Sequence, residues 1–311
     1  MEILRSIGLT EPVIQFMLVN AILGLSIYLT LYTGMFSLAN AGFMAIGAYT
    51  GVILTQQVGL PLWAGLIGGM LLAGLIAVPI GLPVLRLRDI YLAIATIGFG
   101  EVARILILNF DMLASSIVGH EVVLTEGALG IKGIPKITET WHLILFLVIA
   151  SYFIIRLHRS RFGLAMAAIR QDEQAAANMG IDVVYVKNAV FIMSAVLAAG
   201  AGVLKAHLTR TIGPNDYGFS LAVDILAYAV LGGTSTFMGP IIGGFVLTAL
   251  PEVLRDFKQY RGVVTGAILL LVIVYLPGGL VNPAGWARLW RRIRHRENTR
   301  GSPPSPAPIK P

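Results

Sequence analysis

Residues 60–82 read LPLWAGLIGGMLLAGLIAVPIGL, an apolar run without a single charged side chain. A helix needs about 20 apolar residues to cross the hydrocarbon core of a bilayer, so this run predicts a transmembrane helix. Gly65, Gly69, Ala73 and Ala77 recur at every fourth position, and residues four apart share one face of a helix. The run therefore predicts a membrane helix whose small-residue face packs closely against its neighbours.

The same apolar character extends over most of the chain. Of the 311 residues, 56% are hydrophobic and only 13% are charged, and the mean hydropathy is +0.80. A soluble domain of this length cannot bury so much apolar surface, whereas lipid accepts it. The candidate membrane segments are 13–31, 35–56, 60–82, 90–110, 141–157, 188–208, 221–233, 239–254 and 262–280. We therefore predict an all-α, polytopic transmembrane helix bundle with about eight or nine membrane segments, including broken or half-length helices.

Two stretches are too small and polar for helices that face lipid. They are 34–42, GMFSLANAG, and 231–240, LGGTSTFMGP. Irregular backbone at membrane depth is stable only against protein or a water-filled cavity. Interrupted segments at corresponding places of two halves are typical of transport paths, and residues 37–47 and 235–244 resemble each other faintly. These stretches are therefore expected near a path.

Charged residues within the apolar segments are further candidates for a path. Glu101 and Arg104 lie three positions apart, so they share a helix face and can pair. A charge in a spanning helix costs about 2.5–3.5 kcal/mol, and such residues usually face the bundle interior or water. A place at the path or gate and a structural ion pair near the outer boundary both remain open for this pair. Asp224 opens the segment 221–233, where the helix dipole favours an acid in the first turn. The candidate path residues are Asn40, Thr96, Glu101, Arg104 and Asp224.

The basic residues indicate the orientation of the bundle. Lys and Arg are concentrated at 86–88, in the loop 156–187 and in the tail, so this side is expected to be cytoplasmic. The loop 111–140, with more acids than lysines, then faces outward. The N-terminus lies outside if 35–56 crosses the membrane fully, and inside if that region dips in and returns.

The same pattern divides the chain into two parts. We expect a transmembrane permease domain over 1–285, with a cytoplasmic loop at 157–187. Residues 286–311 form a basic, Pro-rich cytoplasmic tail.

The loop 156–187 is the only long hydrophilic segment on the basic side before the tail, and within it residues 161–180 read RFGLAMAAIRQDEQAAANMG. This stretch predicts a short, Ala-rich amphipathic helix that lies on the surface, with Gly180 as its C-cap. Such a helix is either a solvated linker or an element that docks into a cytoplasmic partner.

Residues 174–180, QAAANMG, resemble the E-A-A-x-x-x-G coupling segment of permeases in ATP-binding-cassette (ABC) importers, with Gln174 where Glu is usual. Over roughly residues 13–285 the chain is similar to the LivM-type permeases of branched-chain amino acid importers. The runs that carry this similarity are 40–49, 82–101, 230–240 and 275–280. The resemblance implies that a partner ATPase couples through Arg170, Glu173, Gln174, Ala175, Ala176 and Gly180.

The resemblance also implies an assembly in the bacterial cytoplasmic (inner) membrane that carries branched-chain or similar hydrophobic amino acids. Its other members would be a second, LivH-like permease, two cytoplasmic ATPases and a periplasmic or lipid-anchored substrate-binding protein. ATP and Mg would bind to the ATPases, and this chain has no G-x-x-x-x-G-K-[ST] loop of its own. A permease for urea or short amides and an ATPase-independent secondary transporter are the alternatives.

Several other classes are disfavoured by residue usage. The chain has no Cys, which excludes disulfides and thiol chemistry. Its five His are not at metal-ligand spacings, so no metal site is expected. No catalytic constellation stands out, so we expect a transport subunit without an enzymatic site. The basic residues lie at membrane borders, which argues against nucleic acid as a partner.

Overall fold

The computed structural model describes residues 10–87, 89–120, 124–253, 266, 267, 270, 274 and 279–281. The helices are α1 (Glu11–Tyr32), α2 (Asn40–Gln56), α3 (Leu62–Val84), α4 (Asp89–Leu108), α5 (Phe110–Val118), α6 (Thr140–His158), α7 (Arg161–Gln171), α8 (Glu173–Asn178), α9 (Val183–Thr209), α10 (Phe219–Gly232) and α11 (Met238–Val253). Two short strands, β1 (Ile131–Lys132) and β2 (Thr211–Ile212), pair antiparallel. Single turns of 3₁₀ helix lie at Gly127–Leu129 and Pro214–Tyr217. The described part of the chain is thus all-α apart from one small ladder, as predicted.

Five of the described helices are long and apolar enough to cross a membrane. They are α1, α3, α4 from Ile90 onward, α6 and α9. The helices α2, α10 and α11 have 17, 14 and 16 residues and are shorter than a full span. The expected count of eight or nine segments is not confirmed. The predicted segment 262–280 and the tail 286–311 lie mostly or wholly outside the described residues.

The long helices differ in how much of their surface is covered. About 72% of the residues in the apolar stretches of α1 and α9 are buried, against 33% in α3 and 28% in α4 and α6. Helix α9 packs most extensively on α2, α3 and α1, and α11 packs on α1. The centre of the bundle is therefore α1, α2 and α9, and the remaining long helices leave apolar faces free for lipid.

The small-residue face predicted for α3 is confirmed. A Cβ on Gly69 would lie 2.9 Å from the backbone oxygen of Gly47. A Cβ on Gly65 would lie 2.7 Å from a side-chain carbon of Thr55. Ala73 is fully buried along the same face. Because the residues on this face are small, the backbone of α3 approaches the backbone of α2 directly, and a larger side chain would not fit between them.

Both stretches predicted to be irregular, 34–42 and 231–240, contain a break in helical structure, but the breaks are shorter than predicted, since 40–42, 231–232 and 238–240 are helical. The first break spans residues 33–39, so α2 begins at Asn40 and not at residue 35. The helix cannot start earlier, because Gly34 has φ +84° and the Leu38 amide bonds to a side chain of α4. The second stretch, 233–237, joins α10 to α11.

The two ends of the bundle are distinguished by which helix ends meet. The ring of His158, the last residue of α6, stacks on Tyr32, the last residue of α1, with centroids 4.3 Å apart. At the opposite end, Gln15 of α1 donates to Thr140 of α6 across 2.9 Å. Basic residues at or beside the first end are Arg86, Arg156, Arg159, Arg161, Arg170 and Lys187. Glu11 thus lies at the end opposite these basic loops, and the chain crosses the bundle between Tyr32 and Leu62.

Candidate translocation path and coupling surface

Asn40 lies in a buried polar group at the centre of the bundle. Its side chain is 2% exposed and donates to the hydroxyl of Ser26 across 2.8 Å and to that of Ser194 across 3.0 Å. The Ser194 hydroxyl donates to the Ser26 carbonyl. Asn40 therefore joins α2 to both central helices, α1 and α9. Ser26 lies six residues before the end of α1, so α2 starts about 9 Å inside that end.

Thr96 supports the irregular stretch that precedes α2. Its hydroxyl accepts the Leu38 amide across 2.9 Å and donates to the carbonyls of its own helix. Thr96 is fully buried. It thus satisfies a backbone donor that has no helical partner, which irregular backbone inside a membrane requires.

Glu101 and Arg104 form the ion pair that their spacing predicts. The Glu101 carboxylate accepts from Arg104 Nε across 2.7 Å, and its other oxygen accepts the Phe219 amide across 3.1 Å. Arg104 Nη1 donates to Asn215 across 2.9 Å. The pair therefore caps the N-terminus of α10 and ties α4 to the turn before it.

The position of Asp224 differs from the prediction. Helix α10 begins at Phe219, so Asp224 is its sixth residue and lies in the second turn. The first-turn interpretation is wrong, because the helix already starts directly after Gly218. There the Glu101 carboxylate of α4 accepts a hydrogen bond from the first amide of α10. The Asp224 side chain is exposed.

The predicted coupling segment is two helices and not the single helix that its composition predicts. Asp172 adopts an extended backbone (φ −156°, ψ 112°) between α7 and α8. Its carboxylate accepts from the amides of Gln174 and Ala175 across 2.9 and 3.0 Å. Asp172 thereby caps α8 and breaks the chain direction, which is the usual behaviour of Asp at a helix start.

Gly180 ends α8, although the C-cap residue is Met179 and Gly180 lies one position beyond the predicted place in the cap. Its φ is +83°, and its amide donates to the carbonyl of Ala177 while the Ile181 amide donates to that of Ala176. This pair of bonds is the Schellman motif, in which the left-handed residue is usually Gly. The buried Ala176 and the partly buried Ile181 make the accompanying apolar contact, so the loop turns back to α9 in a fixed geometry.

The remaining coupling candidates divide between anchors and exposed groups. Glu173 pairs with Lys187 of α9 across 2.6 Å, which anchors α8 to the bundle. Gln174 and Ala175 are exposed. Ala175 also lines a shallow pocket of about 200 Å³ with Ala176 and Met179. Gln174, Ala175 and Met179 therefore leave an exposed surface on α8 and the turn that follows it.

Arg170 connects α7 to the end of α1. Its guanidinium lies 5.8 Å from the ring centroid of Tyr32. A Cβ on Gly34 would lie 3.3 Å from the Arg170 Cα, so the two backbones are in close contact. Sequence reasoning missed both Tyr32 and Gly34 because the contact spans far more of the chain than any local pattern. It also missed Ser26 and Ser194, which read as ordinary small residues of apolar helices.

The long apolar helices surround a buried polar centre, and a capped surface element lies at the basic end of the bundle. These features define a multi-pass helical membrane protein. The chain belongs to the family described as "Branched-chain amino acid transport system / permease component", whose model matches residues 10–273. The described residues hold no group of three or more His, Asp or Glu placed to bind a metal ion.

Individual relatives agree with the family. The chain is 34% identical over 285 residues to the high-affinity branched-chain amino acid transport system permease protein LivM of Escherichia coli (strain K12), covering 84% of this chain and 65% of that protein. It is 34% identical over 125 residues to the LivH permease protein of the same system and strain, covering 39% and 40%. The chain therefore spans slightly under two thirds of the length of LivM. The solved structure of PsaBC from Streptococcus pneumoniae in complex with Fab covers 93% of this chain and 95% of its own, at 15% identity and a TM-score of 0.46.

Proposed function

We propose that this chain is the membrane-spanning permease subunit of an ABC importer that moves branched-chain or similar hydrophobic amino acids across the bacterial inner membrane. The observation that carries the proposal is the α7–α8 element, which is capped at both of its helix starts and rests on the end of α1. The cargo is proposed from the family and from the printed names of the relatives. The basic end that carries α7 and α8 faces the cytoplasm.

The proposed assembly contains a second, LivH-like permease, two cytoplasmic ATPases that bind ATP and Mg, and a substrate-binding protein outside. The support for a permease pair is that the relatives include a LivM and a LivH protein of one transport system. Residues 1–285 form the permease domain and 286–311 a cytoplasmic tail.

In the proposed mechanism an ATPase binds the exposed side of α8 at Gln174 and Ala175. Movement of α7 reaches the end of α1 through the contact of Arg170 with Tyr32 and Gly34. The irregular stretch 33–39 follows directly, and its far end is held by α4 and by the polar group around Asn40. A displacement of α7 is therefore transmitted through direct contacts to the stretch 33–39 and to the buried polar group around Asn40.

A pair of matched substitutions tests the proposal. Ala175→Arg places a large cation on the proposed docking surface, whereas Ala128→Arg places one on an exposed alanine of the outer loop. In proteoliposomes with all partners, we expect leucine uptake by Ala175→Arg to fall at least about tenfold, which corresponds to about 1.4 kcal/mol of lost docking energy. Ala128→Arg should transport normally. Normal uptake by Ala175→Arg, or by vesicles without the ATPases, would point to a secondary transporter, and uptake of urea in place of leucine would point to the amide permeases.

A further inference from the structure

A narrow crevice opens where α4, the start of α10 and the stretch before α2 meet. Its apolar walls include Leu38, Ile97, Phe219 and Ala222, and the Glu101 carboxylate also lines it. Its volume is about 10 Å³, room for about one water molecule. The crevice is therefore closed to an amino acid in this conformation, but its lining combines aliphatic and aromatic surface with a charged group.

The ion pair beside the crevice has unused capacity for a ligand. The side chains of Arg104 and Glu101 are 23% and 34% exposed. A guanidinium carries five N–H donors and a carboxylate about four acceptor positions. The bonds in place use two donors of Arg104, to Glu101 and Asn215, and two acceptor positions of Glu101. Both charges can thus meet additional groups from outside the chain.

We propose that Glu101 and Arg104 bind the zwitterionic head of an amino acid, with the widened crevice receiving its apolar side chain; this inference rests on the proposed function. The ammonium of the ligand takes the place of Arg104 against Glu101, and the ligand carboxylate takes the place of Glu101 against Arg104. No charge is left unpaired in the exchange, which keeps the desolvation cost of separating the pair low. A neutral amide or urea replaces neither charge, so the site rejects it.

The same contacts explain how binding would widen the crevice. Glu101 holds the first amide of α10, and Arg104 holds Asn215 in the turn before it. When the ligand comes between these two side chains, Glu101 and Arg104 move apart and carry with them the start of α10 and the turn before it. Phe219 and Ala222, two of the crevice walls, belong to the part of α10 that moves.

The test measures ligand binding to the complete permease–ATPase assembly in nanodiscs, without the binding protein. The probes are leucine, 4-methylpentanoate, which lacks the ammonium, and 3-methylbutylamine, which lacks the carboxylate. We expect leucine to bind at least about tenfold more tightly than either analogue, since each analogue lacks one of the two charged groups that the pair would bind.

Glu101→Gln keeps an acceptor for the Phe219 amide but removes the charge. We expect it to weaken leucine at least about tenfold and to change 4-methylpentanoate by less than about threefold. Arg104→Gln should show the reverse selectivity, with 3-methylbutylamine spared, and Arg104→Lys should restore part of the affinity for 4-methylpentanoate. Glu126→Gln, an exposed acid of the outer loop, is the control and should change nothing.

The outcomes distinguish a failure of the proposed site from a failure of the proposed function. If both charge-removing variants weaken all three ligands equally, or leave leucine unchanged, the pair only caps α10 and the inference is overturned. That result leaves ATP-driven leucine uptake by the wild-type assembly intact. If the wild-type assembly neither binds nor imports leucine, the proposed function itself fails, and the inference fails with it.

Discussion

The stretch 33–39, between α1 and α2, is held in place by buried polar side chains, whereas the stretch 233–237, between α10 and α11, is held by contacts between backbones. In the first, Thr96 accepts the Leu38 amide and Asn40 bonds to the hydroxyls of two central helices. In the second, a Cβ on Gly232 would overlap the carbonyl of Gly239.

The second stretch also receives backbone bonds from further along the chain. The amides of Leu280 and Val281 donate to the carbonyls of Leu231 and Gly232. Two interruptions at membrane depth thus satisfy the same requirement, that no backbone group be left unpaired in lipid, by different means. We therefore expect the first stretch to be destabilised when a polar side-chain atom that supports it is removed. The second stretch should be destabilised when a side-chain carbon is added to one of its closely packed glycines.

The largest effect is expected from Gly232→Val. The new side chain would meet the backbone of Gly239, which cannot rotate away, so the folded state should lose about 3 kcal/mol or more. The measurement is the fraction of monodisperse protein extracted from membranes, followed by the midpoint of thermal unfolding. Gly98→Ala is the control, because a Cβ there meets nothing within 4 Å. Wild-type stability of Gly232→Val would show that the backbone contact is not needed.

A smaller loss is expected from Asn40→Ala. Two hydrogen bonds disappear and a cavity remains, at a cost of about 2 kcal/mol, while the hydroxyls of Ser26 and Ser194 keep their own donor bonds to carbonyls. Thermal unfolding of the purified chain measures the change. Asn20→Ala removes a single bond, to Thr248 of α11, and should cost less than half as much. Equal losses in the two variants would contradict the special place of Asn40.

Thr96→Val should cost about 1–2 kcal/mol, because it leaves the buried Leu38 amide without an acceptor at nearly constant volume. Thr96→Ser keeps the hydroxyl and should recover most of the loss. Hydrogen exchange at Leu38 offers a second measurement, with faster exchange expected in Thr96→Val only. Unchanged exchange would mean that another group accepts this amide.

The smallest effect is expected when a threonine within the second stretch, 233–237, is replaced by valine. Thr236 has a buried hydroxyl with no hydrogen-bond partner among the residues described by the structure. Thr236→Val should therefore be neutral within about 0.5 kcal/mol, or slightly stabilising, since no bond is lost. A loss as large as that of Thr96→Val would show that the two stretches depend on polar side chains alike.

Local composition was sufficient to predict much of the membrane bundle. The length of apolar runs predicts the five long helices, and the spacing of Gly65 and Gly69 predicts which face of α3 packs. The break at Asp172 had a local signal as well, because Asp at a helix start competes with helix continuation. The even helical pattern of the alanines around it obscured that signal.

The remaining features depend on partners far away in the chain. Asn40 starts α2 because Thr96 holds the residues before it, and Asp224 falls in a second turn because Glu101 fixes the start of α10. The two members of each pair, Asn40 with Thr96 and Asp224 with Glu101, lie too far apart in the sequence for a local pattern to include both. The roles of the coupling and path residues remain predictions, and the experiments above are their tests.

The stretch before Asn40 also fixes how many residues the chain can have there. Adding or removing one residue would rotate α2 by about 100° about its axis. Gly47 and Gly51, which now meet Ala199 and Val203 of α9, would turn aside and present bulkier neighbours to a helix that has no space for them. A single codon gained or lost between α1 and α2 would therefore disrupt the packing of α2 against α9, whereas an insertion at the exposed residues 135–137 would leave the helix packing unchanged.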